Sequence, residues 1–278
     1  MIVKNKISVV VCTLNEEKRI LECLKRVMEN NPDEVIIVDG GSTDRTIEIA
    51  KDFTEKIFVN KNSNLTKDRQ IGINNCSNEL IAMVDADHML LPNDLENLVK
   101  DMFKYELDIV QSGLSSSNND NFWDKAENQA WNLTHNKPSG RRKMIGTAPA
   151  IYKREIFKEI QFSDEITKTI DDTDFMYRLS VLNKYSIGVG DTVIKQFHFS
   201  NFKSFRKKFF WYGIGDGEFC IKHPNRAHKM LFHLLIRYPI IYPFKSLLKG
   251  YVYALPFFII QGFIRFFGLV SIVFKSKV

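Results

Sequence analysis

The sequence LIAMVDAD at residues 80–87 joins an apolar run to two carboxylates, and this pattern is the most direct indication of the fold. Leu80 to Val84 contains no polar side chain, which is typical of a strand buried on both faces of a sheet. Asp85 and Asp87 follow at once, and residues i and i+2 of a strand point to the same face. Such a pair favours a divalent cation. The alternative is a capping role for Asp87, since a chain with this aspartate content contains about one D-x-D by chance.

Two more apolar runs lie upstream, at Ile7–Cys12 and Glu34–Val38, and each precedes a helical pattern. This alternation predicts an α/β fold, with a Rossmann-like, mostly parallel sheet and helices on both faces. Ligands of such sheets bind at the carboxyl ends of the strands. The aspartates of residues 85–87 and a second acidic segment, DGGSTD at residues 39–44, both fall at that edge.

The segment at residues 39–44 is a candidate nucleotide contact. Its glycines let the backbone approach a ligand closely, and Asp39 is placed to accept hydrogen bonds from a base or a ribose. The alternative is an ordinary strand-to-helix turn that Ser42 or Asp44 caps. The sequence contains neither G-x-G-x-x-G nor G-x-x-x-x-G-K-[ST], so a dinucleotide fingerprint and a P-loop are both excluded.

The acidic segment at residues 171–174 and His198 each have a functional and a structural interpretation. Asp171-Asp172-Thr173-Asp174 precedes a helical pattern, and carboxylates in the first turn of a helix either serve catalysis or only complement the helix dipole. His198 stands among aromatic residues, where a partly buried structural histidine is the alternative to a metal ligand.

In this order the segments resemble the inverting glycosyltransferases of family 2, which have the GT-A fold. Residues 7–16 resemble the family's opening strand and its Asn-Glu turn, although Cys12 stands where a proline is usual. Residues 39–44 are similar to the D-G-x-S-x-D turn. Residues 67–72, KDRQIG, resemble the A-R-N-x-G segment, with Gln70 in place of the asparagine.

The resemblance continues to about residue 215. Residues 85–87 match the family's metal and nucleotide motif without departure. The segment DDTD resembles the E-D-x-D motif, with Asp171 in place of glutamate and Asp172 in register with the general base. His198 and residues 209–217 resemble the histidine and the aromatic, glycine-containing segment that follow the acceptor site.

The resemblance implies a role for each matching residue. Asp172 is the expected general base, which removes a proton from an acceptor hydroxyl. Asp87 and His198 are expected to hold a divalent metal, Mn²⁺ or Mg²⁺, that offsets charge on the leaving diphosphate. The expected contacts to the nucleotide sugar are Thr13, Asn15, Glu16, Asp39, Arg69, Asp85 and Ala86.

The implied function is transfer of a hexosyl or N-acetylhexosaminyl group, with inversion, from a nucleotide-diphosphate sugar. UDP-sugars are the expected donors, and a glycan or lipid-linked saccharide is the expected acceptor. The first alternative is a polyprenyl-phosphate sugar synthase, whose anionic acceptor needs no base, so Asp172 argues against it. A sugar nucleotidyltransferase normally opens with a Gly-rich loop, which residues 7–20 lack. An inactive glycan-binding scaffold is disfavoured by the intact Asp85, Asp87 and Asp172.

The composition changes near residue 200. From residue 201 onward the sequence has 13 Lys and Arg but only two acidic residues, Asp216 and Glu218. We predict a catalytic domain at residues 1–228, with a nucleotide-binding half to about residue 105 and an acceptor half to 228. A basic, aromatic, helical and amphipathic tail follows at residues 229–278.

A membrane surface is the expected partner of this tail. Residues 252–274 are long and apolar enough to span a bilayer, but Gln261, Arg265 and Gly268 share a narrow helical arc, which fits an in-plane anchor better. The alternative is packing on the catalytic core or on a second subunit, and a homo-oligomer stays open. Because basic residues interleave with Phe, Leu and Ile, no nucleic-acid partner is expected.

The expected location is the cytoplasm, at the cytoplasmic face of a membrane. The N-terminal apolar run, Ile7–Cys12, is too short for a signal peptide. The four cysteines include no C-x-x-C pair, which favours a reducing compartment and argues against a zinc site.

Overall fold

A computed structural model of the chain describes residues 6–61, 64–117, 120–136, 138–167, 169–197 and 201–275. The strands are β1 (Ile7–Thr13), β2 (Glu34–Asp39), β3 (Ile57–Val59), β4 (Leu80–Asp85), β5 (His88–Met89), β6 (Ile109–Ser116), β7 (Gly140–Arg141), β8 (Ala150–Lys153) and β9 (Ile187–Gln196). The α-helices are α1 (Ile20–Glu29), α2 (Thr46–Ala50), α3 (Leu65–Asn74), α4 (Asp94–Lys104), α5 (Phe122–Thr134), α6 (Asp171–Leu182), α7 (Phe202–Lys222), α8 (Ala227–Phe232), α9 (Tyr242–Leu248) and α10 (Ala254–Lys275).

The strands form one sheet in the order β3-β2-β1-β4-β8-β6-β9-β5, with β7 paired to β9. The first four strands are parallel, and β1 lies at their centre with Val10 opposite both Ile36 and Met83. The predicted α/β class is therefore confirmed. Beyond β4 the sheet becomes mixed, because β8 is antiparallel to both of its neighbours.

The sheet is covered on both faces, as the continuous apolar runs predict. On one face Val9, Val11 and Val84 belong to a core with Leu24 of α1 and Leu98 of α4. The alternating residues of the same strands point to the other face. There a second core contains Val10, Ile36 and Met83, together with Ile73 of α3 and Phe175 of α6. Both cores hold the carboxyl ends of β1, β2 and β4 in place.

The C-terminal helices form a layer in which α7 and α10 approach closely. A Cβ atom on Gly213 of α7 would lie 2.1 Å from the carbonyl oxygen of Arg265, so only glycine permits this contact. Between the helices, Arg265 donates to both oxygens of the buried Asp216, at 2.8 and 2.7 Å. Phe257 and Phe258 of α10 pack in one cluster with Phe205 of α7 and Ala126 of α5.

This packing bears on the predicted tail. The boundary near residue 228 stays a prediction, but Ala254, Phe257 and Phe258 of α10 share a core with α5 and α7. The polar arc of α10 faces inward, since Gln261 and Arg265 are buried, while Phe263, Phe267 and Phe274 are exposed. Within the described part of the chain, Ala254–Phe274 is the only segment long and apolar enough to cross a membrane.

Candidate active site

Three parallel strands bring the predicted nucleotide contacts to one edge of the sheet. Thr13 at the end of β1 is in register with Asp39 at the end of β2, and Cys12 is in register with Asp85 at the end of β4. The Thr13 hydroxyl is buried and has no hydrogen-bond partner within the residues described. This edge is therefore the place where the sequence expects a ligand.

Asp39 shapes the turn that follows β2. One of its carboxylate oxygens accepts hydrogen bonds from the backbone N–H groups of Gly41 and Ser42, at 2.9 and 2.7 Å, and the other accepts one from the Ser42 hydroxyl, at 2.5 Å. Gly41 has a φ of +92°, which a residue with a side chain rarely adopts. Asp39 itself thus caps the turn. A contact between Asp39 and a nucleotide stays a prediction.

Asn15 and Glu16 connect the loop after β1 to the same turn. The Asn15 side-chain oxygen accepts from the Thr43 N–H at 2.9 Å, and the Asn15 backbone N–H donates to the Ser42 hydroxyl at 2.8 Å. The Glu16 N–H donates to the Thr46 hydroxyl at 2.8 Å. Burial, opposed by nearby Arg19, raises the pKa of the Glu16 carboxyl. These bonds fix the two loops relative to each other.

Arg69 of α3 joins the sheet edge to α6. Its guanidinium is buried and donates to Asp85 at 3.1 Å and to Asp171, which also accepts from the Thr147 hydroxyl at 3.2 Å. Burial by itself would lower the pKa of Arg69, but the carboxylates of Asp171 and Asp85 raise it well above its usual range. The guanidinium is occupied by protein carboxylates, so its contact with the donor stays a prediction.

Asp87 is held at one carboxylate oxygen only. Its Oδ2 accepts from the Gln196 amide at 2.8 Å, and its backbone oxygen accepts from the Phe197 N–H at 2.9 Å. Its Oδ1 is buried without a hydrogen-bond partner in the described chain, 3.8 Å from Nε2 of His88. An orphaned buried carboxylate oxygen fits a cation ligand, because such an oxygen is costly to leave unpaired.

His88 is a site residue that the sequence interpretation missed. It is fully buried, and its Nδ1 accepts a hydrogen bond from the Asp85 N–H at 2.9 Å. In a neutral imidazole the proton then lies on Nε2, which faces Asp87. Asp85, Asp87 and His88 each have a candidate ligand atom within 4.8 Å of the others, but a protonated Nε2 cannot bind a metal. In this tautomer His88 holds the Asp85 backbone in place and does not serve as a ligand.

These residues fit a divalent metal, which Asp87 would hold, with the carboxylate of Asp85 beside it. Oxygen ligands of this kind suit Mg²⁺ and Mn²⁺. Ala86 between them is buried and contributes no polar side chain. The other predicted ligand, His198, lies outside the described residues.

Asp172 differs from the two aspartates beside it in α6. Asp171 pairs with Arg69, and Asp174 pairs with Arg178 and His223. Asp172 forms no ion pair in the part of the chain that the structure describes, and its Oδ1 accepts only from its neighbour Thr173, from the N–H at 2.6 Å and from the hydroxyl at 3.3 Å. Burial and the adjacent Asp171 charge raise the pKa of Asp172 to about 6. A carboxylate with a pKa closer to neutrality is suited to general-base chemistry.

Ile170, the residue before α6, has a left-handed backbone conformation with a φ of +68°. A branched residue adopts this conformation only under constraint from its surroundings. Constraint of this kind is common at functional sites, and here it immediately precedes the acidic turn of α6. The sequence does not signal it, since isoleucine disfavours a positive φ.

The parallel strands thus bring Asp39 and Asp85 to one edge of an α/β sheet, an arrangement that suits a nucleotide ligand. The model of the Glycosyl transferase family 2 matches residues 8–186. The chain belongs to the glycosyl transferase family 2.

Solved structures confirm the GT-A arrangement. The structure of S. aureus TarS 1-349 matches with a TM-score of 0.57 and 17% identity, covering 98% of this chain and 91% of that chain. The complex of the same protein with UDP-GlcNAc matches with a TM-score of 0.58 and 16% identity, at the same coverage. Likeness at this level of identity shows the fold alone.

Curated relatives are distant and mostly longer. Glycosyltransferase GlyG of Streptococcus pneumoniae serotype 4 is 25% identical over 67% of this chain and 69% of its own length. Glycosyltransferase GlyA of the same organism is 26% identical over 58% of this chain but only 26% of its own length. The dodecaprenyl-phosphate galacturonate synthase of Rhizobium johnstonii is 26% identical over 59% of this chain and 53% of its own length. The chain thus spans about a quarter of one of these relatives and about half of another.

Proposed function

We propose that this glycosyltransferase moves a hexosyl or N-acetylhexosaminyl group from a UDP-sugar to an acceptor hydroxyl, with inversion and with metal assistance. The relation to TarS, which has been crystallised with UDP and with UDP-GlcNAc, supports a uridine donor. The acceptor that we propose is a saccharide or a lipid-linked saccharide.

One observation carries the proposal. The Arg69 guanidinium bonds to Asp85 at the sheet edge and to Asp171, the residue before Asp172. The buried Arg69 therefore joins the donor edge to the residue next to the candidate base, although Arg69 and Asp171 are 102 positions apart in sequence. A single displacement needs this proximity, because the base must act on an acceptor that attacks the bound donor.

The proposed step is balanced by these residues. Asp172 takes the proton of the acceptor hydroxyl while that oxygen forms a bond to the anomeric carbon of the sugar. The bond from the anomeric carbon to the diphosphate breaks, and its electron pair leaves with the diphosphate. A bound divalent cation at Asp87 would supply charge neutralisation for that diphosphate. No enzyme nucleophile takes part, so the anomeric configuration inverts.

A polyprenyl-phosphate sugar synthase is the second candidate, because a relative carries that activity in its name. Its acceptor is already an anion, so such an enzyme has no use for a base with a raised pKa. The properties of Asp172 therefore favour transfer to a hydroxyl. Neither a nucleotidyltransferase nor an inactive scaffold gains support from the family match.

We also propose that the enzyme works at the cytoplasmic face of a membrane, to which its C-terminal helices bring it. The basic and apolar composition after residue 201 supports this location. It is the location in which a lipid-linked acceptor would be within reach.

The test is a screen of nucleotide sugars for donor hydrolysis and transfer, with added Mn²⁺ or Mg²⁺ and with excess chelator. We expect turnover of UDP-sugars that the chelator abolishes and that Asp87→Ala lacks. Asp164→Asn, which alters an exposed carboxylate outside the site, is the matched control and should match the wild type. Full transfer in chelator, or in Asp87→Ala, would refute the metal role. Release of pyrophosphate from a nucleoside triphosphate and a sugar phosphate would show a nucleotidyltransferase instead.

A further inference from the structure

We propose that one exposed face of residues 227–248 docks onto an anionic lipid bilayer. This inference rests on the proposed membrane location of the enzyme and names the surface responsible for it. The surface, called here the 232–248 face, consists of five exposed apolar residues and an adjacent row of basic residues. The five are Phe232, Ile236, Ile240, Phe244 and Leu248.

The five residues form one stripe because of the local helix geometry. They recur at every fourth position along α8, the π-helical segment His233–Ile241 and α9. In an α-helix of about 3.6 residues per turn, a spacing of four drifts around the axis in one direction. The wider π-helical turn makes the same spacing drift the opposite way. The two drifts oppose each other, so the stripe stays on one side of the helix.

A basic row runs beside the stripe: Arg237, Lys245 and Lys249 each follow a stripe residue by one position, and Lys229 lies three positions before Phe232. Lys229, Arg237, Lys245 and Lys249 are all exposed. They form no ion pair with any carboxylate among the residues that the structure describes. The sequence contains no Asp or Glu after Glu218, so this part of the chain offers them no acidic neighbour in sequence. The positive charge of the row is left for a partner.

This combination fits a lipid surface better than a second copy of the chain. Apolar side chains beside exposed cations insert into the headgroup boundary of a bilayer whose lipids are anionic. A second copy that met this face with its own 232–248 face would bring the same row of cations and no carboxylates, so like charges would meet across the contact. A nucleic acid, which would contact the basic row through its phosphates, would also leave the stripe of five apolar residues in water.

The longer helix α10 is fixed to α7, so it is not free to detach from the protein and enter the bilayer. Its Arg265 is paired with the buried Asp216 of α7, and Gly268 lies against the backbone of Phe210 and Gly213. Removing α10 from this layer would leave the buried carboxylate of Asp216 without its partner. The docking face is therefore assigned to residues 232–248, with α10 as the support behind it.

The chain supplies a matched pair of residues for the test. Phe244 on the face is 62% exposed, and Phe103 on α4 is 61% exposed. Phe244→Glu and Phe103→Glu thus make the same chemical change at equal exposure, and neither removes a core contact. We would measure co-sedimentation of the full chain with phosphatidylcholine vesicles, with and without phosphatidylglycerol, at low and high salt.

We expect wild-type protein to bind the phosphatidylglycerol vesicles at low salt. Phe244→Glu should bind them about tenfold more weakly or worse, since an inserted phenyl group is replaced by a charge that the lipid repels. Phe103→Glu should bind as the wild type does. In a second measurement, tryptophan fluorescence of Phe244→Trp should shift to the blue with these vesicles, and that of Phe103→Trp should not.

Wild-type binding by Phe244→Glu, or equal weakening by Phe103→Glu, would overturn the proposal. So would loss of binding in Phe267→Glu alone, because Phe267 lies on α10. If Phe244→Glu split a dimer in sedimentation velocity while vesicle binding persisted, the face would be a contact between copies. Hydrolysis of UDP-sugar without vesicles is scored separately. Its absence in the wild type would refute the proposed function and leave a Phe244-dependent vesicle result standing.

Discussion

Arg69 and Arg265 are both buried, and each bridges elements that are distant in sequence, but their surroundings differ. Arg69 has two carboxylates, and one of them, Asp85, has a side chain that is 36% exposed at the sheet edge. Arg265 has one carboxylate, the fully buried Asp216, and a hydrogen bond to the Tyr238 hydroxyl at 3.0 Å. The first ion pair reaches the edge of the sheet where we expect the donor, and the second is closed within the helical layer.

The comparison shows what a buried ion pair contributes in each place. Around Arg69 the charges prepare a site, since they keep the pKa of the part-exposed Asp85 carboxyl low against the opposing effect of burial. Around Arg265 the charges fix α10 to α7, and burial still raises the pKa of the Asp216 carboxyl. We therefore expect changes at Arg69 to act on turnover and changes at Arg265 to act on stability.

The largest effect is expected from Arg69→Met. It removes the charge that holds Asp85 and Asp171, so turnover should fall about 10³-fold, the upper scale for loss of one preorganised electrostatic group. Arg69→Lys keeps the positive charge but lacks the planar guanidinium. It should fold more stably than Arg69→Met, while its turnover stays below that of the wild type. Steady-state transfer, with thermal unfolding as a check on folding, measures both. Normal turnover in a folded Arg69→Met would contradict the role given to this network.

Arg265→Met should act in the opposite way. It leaves Asp216 buried without a partner and should lower the free energy of unfolding by about 3–5 kcal/mol. At a pH well above 6, turnover per folded molecule should change less than about twofold, because the Arg265 charge lowers the pKa of Asp172 but no predicted site residue forms a hydrogen bond with this pair. The double variant Asp216→Leu with Arg265→Met should recover most of the stability, since an apolar pair replaces an ion pair. A large loss of turnover in this double variant would show that the helical layer takes part in catalysis.

A smaller effect is expected at His88. His88→Phe keeps the buried ring but cannot accept the Asp85 N–H or face Asp87 with a proton. The affinity for Mn²⁺ should fall about 10–100-fold, as for other groups that orient metal ligands. Titration of Mn²⁺ by calorimetry, in the presence of UDP, measures this without relying on turnover. His135→Phe, at a histidine away from the site, is the control and should retain the wild-type affinity.

The pH dependence should be the mildest of these signals. Asp172 must be ionised to accept a proton, and its pKa is raised to about 6. Transfer should therefore be constant above this value and fall about tenfold per pH unit below it. The same raised pKa predicts that ionised Asp172 destabilises the fold above pH 6, so Asp172→Asn should raise the melting temperature near neutral pH. A pH profile of kcat/KM together with thermal unfolding tests both statements.

Much of the nucleotide-binding half is predictable because its signals are local. The strands β1, β2 and β4 are runs of apolar residues bounded by polar turns, and the structure has them within one residue of the predicted ends. In contrast, β9 contains Gly188, Gly190 and Asp191, so no periodicity identifies it. The antiparallel insertion of β8 between β4 and β6 depends on long-range pairing, which a local pattern does not encode.

The site divides in the same way. Asp85 and Asp87 are predicted from their place at the end of a strand, and Asp172 as the base by resemblance. The bond from Arg69 to Asp171 spans 102 positions of the sequence, which no local pattern encodes. His88 is missed because a histidine after D-A-D has no motif of its own, and only the Asp85 N–H to Nδ1 bond reveals it. The arc of Gln261 and Arg265 on α10 looks like a solvent face in the sequence, but Asp216 on α7 makes it the buried one.

The most direct test of the central claim is turnover of Asp172→Asn measured beside its affinity for UDP. Asparagine has nearly the shape of aspartate but cannot take a proton from the acceptor. We expect UDP to bind Asp172→Asn with an affinity within about threefold of the wild type, while transfer falls about 10²-fold or more. Transfer at the wild-type rate per bound donor, or loss of UDP binding with no change in that rate, would contradict Asp172 as the base.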